Sequence, residues 1–158
     1  ELPDSIIVRM AGFFGGREVD KNFVGKIIPY IAKLVNDGIN SLDIGDRVWQ
    51  PTFTNDLAYN SLVLLANNRK GNYCMSSHGQ ASFFELTTLI VNTLEINDRI
   101  EIKKVSANQV SRNEKAKRPE IAIIENKRLI AENIDRQRTW QESTIEYLNH
   151  PYFKNLFI

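Results

Sequence analysis

Cysteine is nearly absent from this chain. Cys74 is the one cysteine in 158 residues, so no intrachain disulfide forms and a disulfide scaffold is excluded. Histidine is almost as scarce: two histidines and a cysteine fall short of the four Cys or His ligands of a structural zinc site. An excess of charge of one sign is missing too. Twenty basic side chains face 19 acidic ones, for a formal net charge of +1. Nucleic-acid binders usually show a strongly basic face, so no nucleic-acid partner is expected. The longest apolar runs, such as residues 62–66, are far below the roughly 20 residues that span a bilayer, and no membrane partner is expected either. The start, Glu1-Leu2-Pro3-Asp4, lacks the basic and apolar segments of a secretory signal. It is also not Met, and a strand follows almost at once. The chain reads as a fragment or a processed chain, in a cytoplasmic context.

What is present is ordinary globular material, 42% hydrophobic and 25% charged. A chain of this length buries about two-thirds of its unfolded surface, enough for a real core. Ile6-Ile7-Val8-Arg9-Met10-Ala11 reads as a strand running into the glycine-rich turn Gly12-Phe13-Phe14-Gly15-Gly16. Residues 20–36 carry apolar side chains at three- and four-residue intervals, which predicts an amphipathic helix, with a kink or break near Lys26 from Pro29. Asp37-Gly38 stops it. Residues 41–44 are a weak strand, and 49–54 an extended loop held open by Pro51. A second helix is predicted to about residue 66, with Thr54 or Asn55 as its cap and Leu57, Ala58, Leu62 and Leu65 inward.

Gly71 to Ser76 reads as a strand containing Cys74 as a small buried hydrophobe. Ser82-Phe83-Phe84-Glu85 and Thr139-Trp140-Gln141-Glu142 are capping boxes, each opening a helix. Residues 99–105 alternate as a half-wet strand. Residues 106–117 read as a long polar loop, 121–124 as a short apolar stretch and 126–132 as a short helix. His150, past the last helix, reads as a helix C-terminal histidine. Alternating strands and helices suggest an α/β or α+β layer structure, with no repeat and no domain linker.

Chemistry-bearing motifs are few. Gly12, Gly15 and Gly16 invite a dinucleotide-binding reading, but that motif needs its glycines to open a helix and an acidic residue about 20 positions on, at the end of a second strand. A tight turn is the better reading. His78 sits in a polar loop, where a histidine is usually just solvated, although loops at strand ends often carry sites. The basic residues Lys103, Lys104, Arg112, Lys115, Lys117 and Arg118 form a solvated face by default. Lys117-Arg118, at the end of a long loop, also suits a phosphate, because arginine offers a planar fork to phosphate oxygens.

Six stretches stand in order along nearly the whole chain. They are the strand and turn Val8 to Gly15, Asn22-Phe23-Val24, and the block Gln50-Pro51-Thr52-Phe53-Thr54-Asn55-Asp56-Leu57-Ala58, which is the most specific. They continue with Gly71-Asn72-Tyr73 followed by the capped Ser82-Phe83-Phe84-Glu85, then Arg118-Pro119 with Ile123-Ile124 and Leu129, and finally Trp140-Gln141-Glu142. Together they resemble the C-terminal half of the extended short-chain dehydrogenase/reductase superfamily, and most nearly its dTDP-4-dehydrorhamnose reductase branch.

The resemblance implies an α/β fold: the last strands of a Rossmann-type parallel sheet and a small mixed substrate-binding part. The whole of residues 1–158 then forms a single C-terminal substrate-binding portion, and the dinucleotide-binding part lies outside this chain. It also implies an NAD(P)-dependent nucleotide-sugar oxidoreductase that reduces a 4-keto deoxysugar. The family's glycine-rich cofactor loop and catalytic Tyr-x-x-x-Lys pair are not in this sequence, so no catalytic residue is assigned. NADP(H) or NAD(H) is implied for a full-length protein and expected not to bind this chain alone. The implied ligand is a dTDP-sugar, with Arg118 on its diphosphate. Asn22 holds the nucleotide or simply caps a helix. Trp49 packs on the base at the pocket rim or fills the core. Gly12 replaces a polar or aromatic residue that relatives place near the substrate. Self-association or a homo-oligomer is expected. The alternatives are a non-catalytic regulatory or binding module of the same superfamily, or a nucleotide-sugar epimerase or dehydratase.

Overall fold

Parallel pairing dominates the sheets. The computed structural model describes residues 4–110 and 119–158. Its strands are β1 (Ile6–Met10), β2 (Phe13–Phe14), β3 (Ser41–Gly45), β4 (Val48–Trp49), β5 (Thr52–Phe53), β6 (Gly71–Met75), β7 (Ala81–Ser82), β8 (Glu101–Val105) and β9 (Ile121–Ala122). The helices are α1 (Phe23–Asn36), α2 (Thr54–Ala66), α3 (Phe83–Thr93), α4 (Ala107–Val110), α5 (Lys127–Ala131), α6 (Trp140–Leu148) and α7 (Pro151–Lys154). β1 pairs with β6, β2 with β5 and β3 with β8, all parallel. β4 lies between β7, antiparallel, and β9, parallel. The fold is mixed α/β with parallel pairs joined by helical crossovers, as the sequence pattern predicts.

Two cores hold it. The larger gathers α1, α3 and the C-terminal helices around Phe14, Ile28, Ile31, Leu86, Ile90, Leu148 and Phe153. The smaller lies under β1 and β6, where Tyr73, Met75, Leu57, Leu64, Leu129 and Ile134 meet. Both predicted capping boxes form with both of their bonds. Ser82 and Thr139 accept from the backbone of Glu85 and Glu142, whose carboxylates reach back to the cap backbone.

Several expectations need correction. α1 starts at Phe23, not at residue 20, because Asp20 is used in the preceding turn: its carboxylate accepts from the N–H groups of Gly15 (3.0 Å) and Asn22 (2.8 Å). α1 is not broken near Lys26. It runs through Pro29, whose ring is exposed while Val24, Ile27, Ile28, Ile31 and Leu34 bury the opposite stripe. Packing of that stripe outweighs one missing backbone bond. Residues 49–54 are not a plain loop but contribute to β4 and β5. Within 106–117, residues 107–110 form α4; residues 111–117, with Arg112, Lys115 and Lys117, and Arg118 after them lie outside the described residues.

α2 differs most. It begins at Thr54, after Phe53, with no side-chain cap. Its inward side chains are Asp56, Leu57, Asn60 and Leu64, whereas Leu62 and Leu65 stand 63% and 61% exposed, and Ala58 is exposed as well. Polar partners decide the rotation. Asn60 donates to the Ile134 carbonyl (2.9 Å) and accepts from the Arg136 N–H (2.9 Å), and Gln137 Nε2 donates to the Asp56 carbonyl (3.1 Å). Cys74 is half-buried rather than buried. His150 is a cap rather than a C-terminal cation: its Nδ1 accepts from the Tyr152 N–H at the start of α7.

Candidate functional site

Two clefts open beside the strand ends. The first follows β6. Gln50, Ser76, Ser77, His78, Ile124, Asn126 and Lys127 line a polar hollow of about 240 Å³. Its hydroxyls are committed to structure. Ser77 Oγ donates to the Pro51 carbonyl (2.7 Å), and Ser76 Oγ donates to Asn126 Oδ1 (3.2 Å). Asn126 in turn donates to the Ser76 carbonyl (2.8 Å) and to Asp135 (3.2 Å). His78 Nε2 lies 3.4 Å from Asp135 Oδ2. The histidine thus lies beside a carboxylate, and among the described residues that line the hollow both serine hydroxyls are already bonded.

The second cleft is built around Arg47, in the turn from β3 to β4. Phe23, Ile44, Gly45, Phe83, Ala107 and Val110 line an apolar hollow of about 280 Å³ on one side of it. A more polar hollow of about 230 Å³ adjoins Asp46, Ser106, Asn108 and Glu120. A third, of about 190 Å³, is lined by Val48, Trp49, Phe83, Pro119 and Ala122. Arg47 borders all three hollows. Backbone bonds fix its walls. The Arg47 carbonyl accepts from the Phe83 N–H (3.0 Å), and the Val48 N–H donates to the Glu120 carbonyl (2.8 Å). Asp46 Oδ1 accepts from the Ala107 N–H (2.8 Å), which seats α4 against β3.

An aromatic cluster forms the other wall. Phe23 and Phe83 lie 4.4 Å apart, Trp49 stacks on Phe83 at 5.3 Å, and Phe23 meets Trp49 edge-on at 6.3 Å. Gly12 closes against the indole: a Cβ on it would stand 2.5 Å from Trp49 Cε3. Two of the four expected site residues meet here: Gly12 lies against Trp49, and Trp49 lines the third hollow. Asn22 precedes Phe23 at the start of α1 and lines none of the three hollows. The Asn22 side chain makes no cap bond, and the residue is exposed. Arg118 lies outside the described residues; its neighbour Pro119 lines the third hollow. Arg47 carries no local sequence signal. Its position two residues before Trp49 is the one hint that was available.

This cleft suits a flat, partly apolar ring joined to an anion: aromatic and aliphatic walls take the ring, and a guanidinium with its planar fork takes the anion. The glycine turn after β1 does not suit a dinucleotide. The Asp20 carboxylate already takes the Gly15 N–H, and a second anion there is repelled. Closer to α6, Tyr147 Oη accepts from the Arg17 N–H (2.8 Å), and burial pushes its phenol up to about 12, so it stays protonated.

Comparison with known proteins agrees in outline. A family model described as the RmlD substrate binding domain matches residues 1–153. No curated protein matches the chain. Among solved structures, a dTDP-4-dehydrorhamnose reductase from Clostridium acetobutylicum is similar at 26% identity with a TM-score of 0.77, over 91% of this chain and 48% of that one. A Bacillus anthracis dTDP-4-dehydrorhamnose reductase in complex with NADP follows at 20% identity and a TM-score of 0.75, over 90% and 47%. One from Yersinia enterocolitica has 22% identity and a TM-score of 0.70, over 97% and 50%. The chain spans about half the length of the solved relatives it matches.

Proposed function

Since the chain belongs to the RmlD substrate binding domain family, we propose that it is the nucleotide-sugar-binding portion of an NAD(P)-dependent oxidoreductase that reduces a 4-keto deoxysugar carried on dTDP. The observation that carries this reading is the Arg47 cleft, with an aromatic cluster on one wall and a cation at its centre. The thymine and its deoxyribose enter the hollow of Phe23, Ile44, Phe83, Ala107 and Val110. The diphosphate meets Arg47, with Arg118 as a second cation on it and Asn22 at the rim.

The chain's task in the reaction is positional. Holding the remote nucleotide fixes the sugar in reactive geometry, so binding energy is spent on orientation. Hydride chemistry belongs to a nicotinamide cofactor, NADP(H) or NAD(H), in the full-length protein. The Asp20 carboxylate fills the glycine turn after β1, and no step is proposed for this chain beyond binding and orientation.

Calorimetric titration of the chain with dTDP tests the reading. Saturable binding is expected. Arg47→Ala and Arg118→Ala should each weaken it about 10- to 150-fold, the range for loss of one charge-assisted contact. The unfolding midpoint of Arg118→Ala should stay close to that of the unaltered chain. Absence of dTDP binding to the unaltered chain would overturn the reading.

A further inference from the structure

Gly12 and Trp49 are a matched pair. Ideal Cβ geometry at Gly12 places the atom 2.5 Å from Trp49 Cε3 and 2.6 Å from Cζ3, closer than any real contact. Close approach, not backbone freedom, is what requires glycine here. The strap that carries Trp49 is pinned to the same turn, because the Thr52 N–H donates to the Gly12 carbonyl (3.0 Å). The ring is braced at 5.3 Å by Phe83 and edge-on by Phe23, so it cannot swing freely. It still lines the third hollow of the cleft and is only half-buried.

Direction along the cleft follows from the fold. Gly12 lies just past the carboxyl end of β1, beside the end of its parallel partner β6. Ligands of parallel α/β sheets react in the crevice outside those strand ends. Trp49 lies against Gly12 at that end, and Arg47 borders both the hollow that Trp49 lines and the hollow of Ile44, Ala107 and Val110. A diphosphate at Arg47 with its base among Ile44, Ala107 and Val110 leaves the sugar facing the indole.

We propose that Trp49 is the platform on which the sugar ring rests, and that Gly12 is the gap that admits it. The C–H face and methyl group of a deoxyhexose pack on the indole, which makes Trp49 a specificity-determining residue for the sugar rather than for the nucleotide. This rests on the nucleotide-sugar reading above. It assigns Trp49 one role where sequence alone leaves two.

The test compares dTDP with dTDP-rhamnose on the full chain by calorimetry. The unaltered chain should bind dTDP-rhamnose more tightly than dTDP, by about 3- to 10-fold, the size of one aromatic contact. Trp49→Ala should leave dTDP affinity within about 3-fold and erase that difference. Trp49→Phe should restore part of it. Gly12→Ala, which pushes the indole aside without altering residue 49, should erase it as well. If Trp49→Ala fails to fold, Trp49→Phe and Gly12→Ala decide the matter. Equal losses for both ligands would put the indole under the base and overturn the proposal, as would no change for either. If the unaltered chain binds neither ligand, the nucleotide-sugar reading itself fails, which is a distinct result.

Discussion

Arg138 closes on the carboxylate of Asp56, with Nη2 at 2.7 Å and Nε at 3.0 Å from the same oxygen, Oδ1. The other oxygen accepts from Ser143 Oγ at 2.5 Å, and Arg138 also pairs with Glu146. The aspartate of the Pro51 to Ala58 block is therefore a structural anchor. It ties the first turn of α2 to the segment that leads into α6.

Asp56→Ala should lower stability by about 1.5–3 kcal/mol, the range for hydrogen bonds to a charged group. The arginine is 37% exposed, which moves the expectation to the lower end, since water screens that side of the pair. Urea unfolding measures it. A loss below about 0.5 kcal/mol would mean that the pair is merely superficial.

The capping box of α3 carries a pH dependence. Hydrogen bonds from the Ser82 N–H and hydroxyl hold the Glu85 carboxyl below its ordinary value of 4.5. A depressed carboxyl stabilises the fold above its unfolded value, and that contribution fades as pH falls through 4.5 toward the folded value. Glu85→Gln should cost about 0.3–1 kcal/mol at neutral pH. The gap between the two proteins should narrow as thermal unfolding is repeated in steps below pH 4.5. A gap that is flat or widens with acid would contradict the assignment.

The nicotinamide cofactor should not bind this chain. Asp20 fills the glycine turn that follows β1, leaving a carboxylate where a pyrophosphate would have to sit. Titration with NADPH, followed by nicotinamide fluorescence, should show no saturable signal at micromolar concentrations. A clear micromolar isotherm would place a cofactor site on these residues.

β1 predicts self-association. Among the described residues it pairs on one side alone, with β6, and Ile7 and Met10 on it are 50% and 46% exposed. Parallel strands are normally covered on both faces, and an open edge accepts another strand. Sedimentation at rising concentration should show a reversible shift to larger species. A monomer at every concentration, with little binding of an apolar dye, would count against it.

Short-range chemistry was legible in the sequence and long-range chemistry was not. Ser82 with Glu85 and Thr139 with Glu142 announce helix starts because every participant lies within one turn. The α1 stripe, the strands β1, β3, β6 and β8 and the Pro51 to Ala58 block were readable for the same reason, through periodicity and motif. The inward face of α2 was misread because Leu62 and Leu65 look apolar locally, while Asp56 and Asn60 are claimed by residues 134–143, far along the chain. Pro29 was overweighted because a single missing bond says nothing of the packed face opposite. Gly12 and Trp49 were each singled out as candidates, but nothing in the sequence joins one to the other; the fold brings them into contact. Arg47 was invisible, since its importance arises only when the β3 to β4 turn sets it between three hollows.

The parallel register also sets the order in which the chain can complete itself. Ile6 waits for Gly71, Ser41 waits for Glu101, and Val48 waits for Ser82 on one side and Ile121 on the other. The ladder of Phe13–Phe14 with Thr52–Phe53 is the first of these to have both of its strands made. During synthesis β1 therefore meets β6 only after α1 and α2 have been made, and each ladder closes across a loop whose entropy must be lost before any bond repays it. Folding of this chain should be slow for its size, and its yield should depend on temperature and on chaperones more than its final stability would suggest.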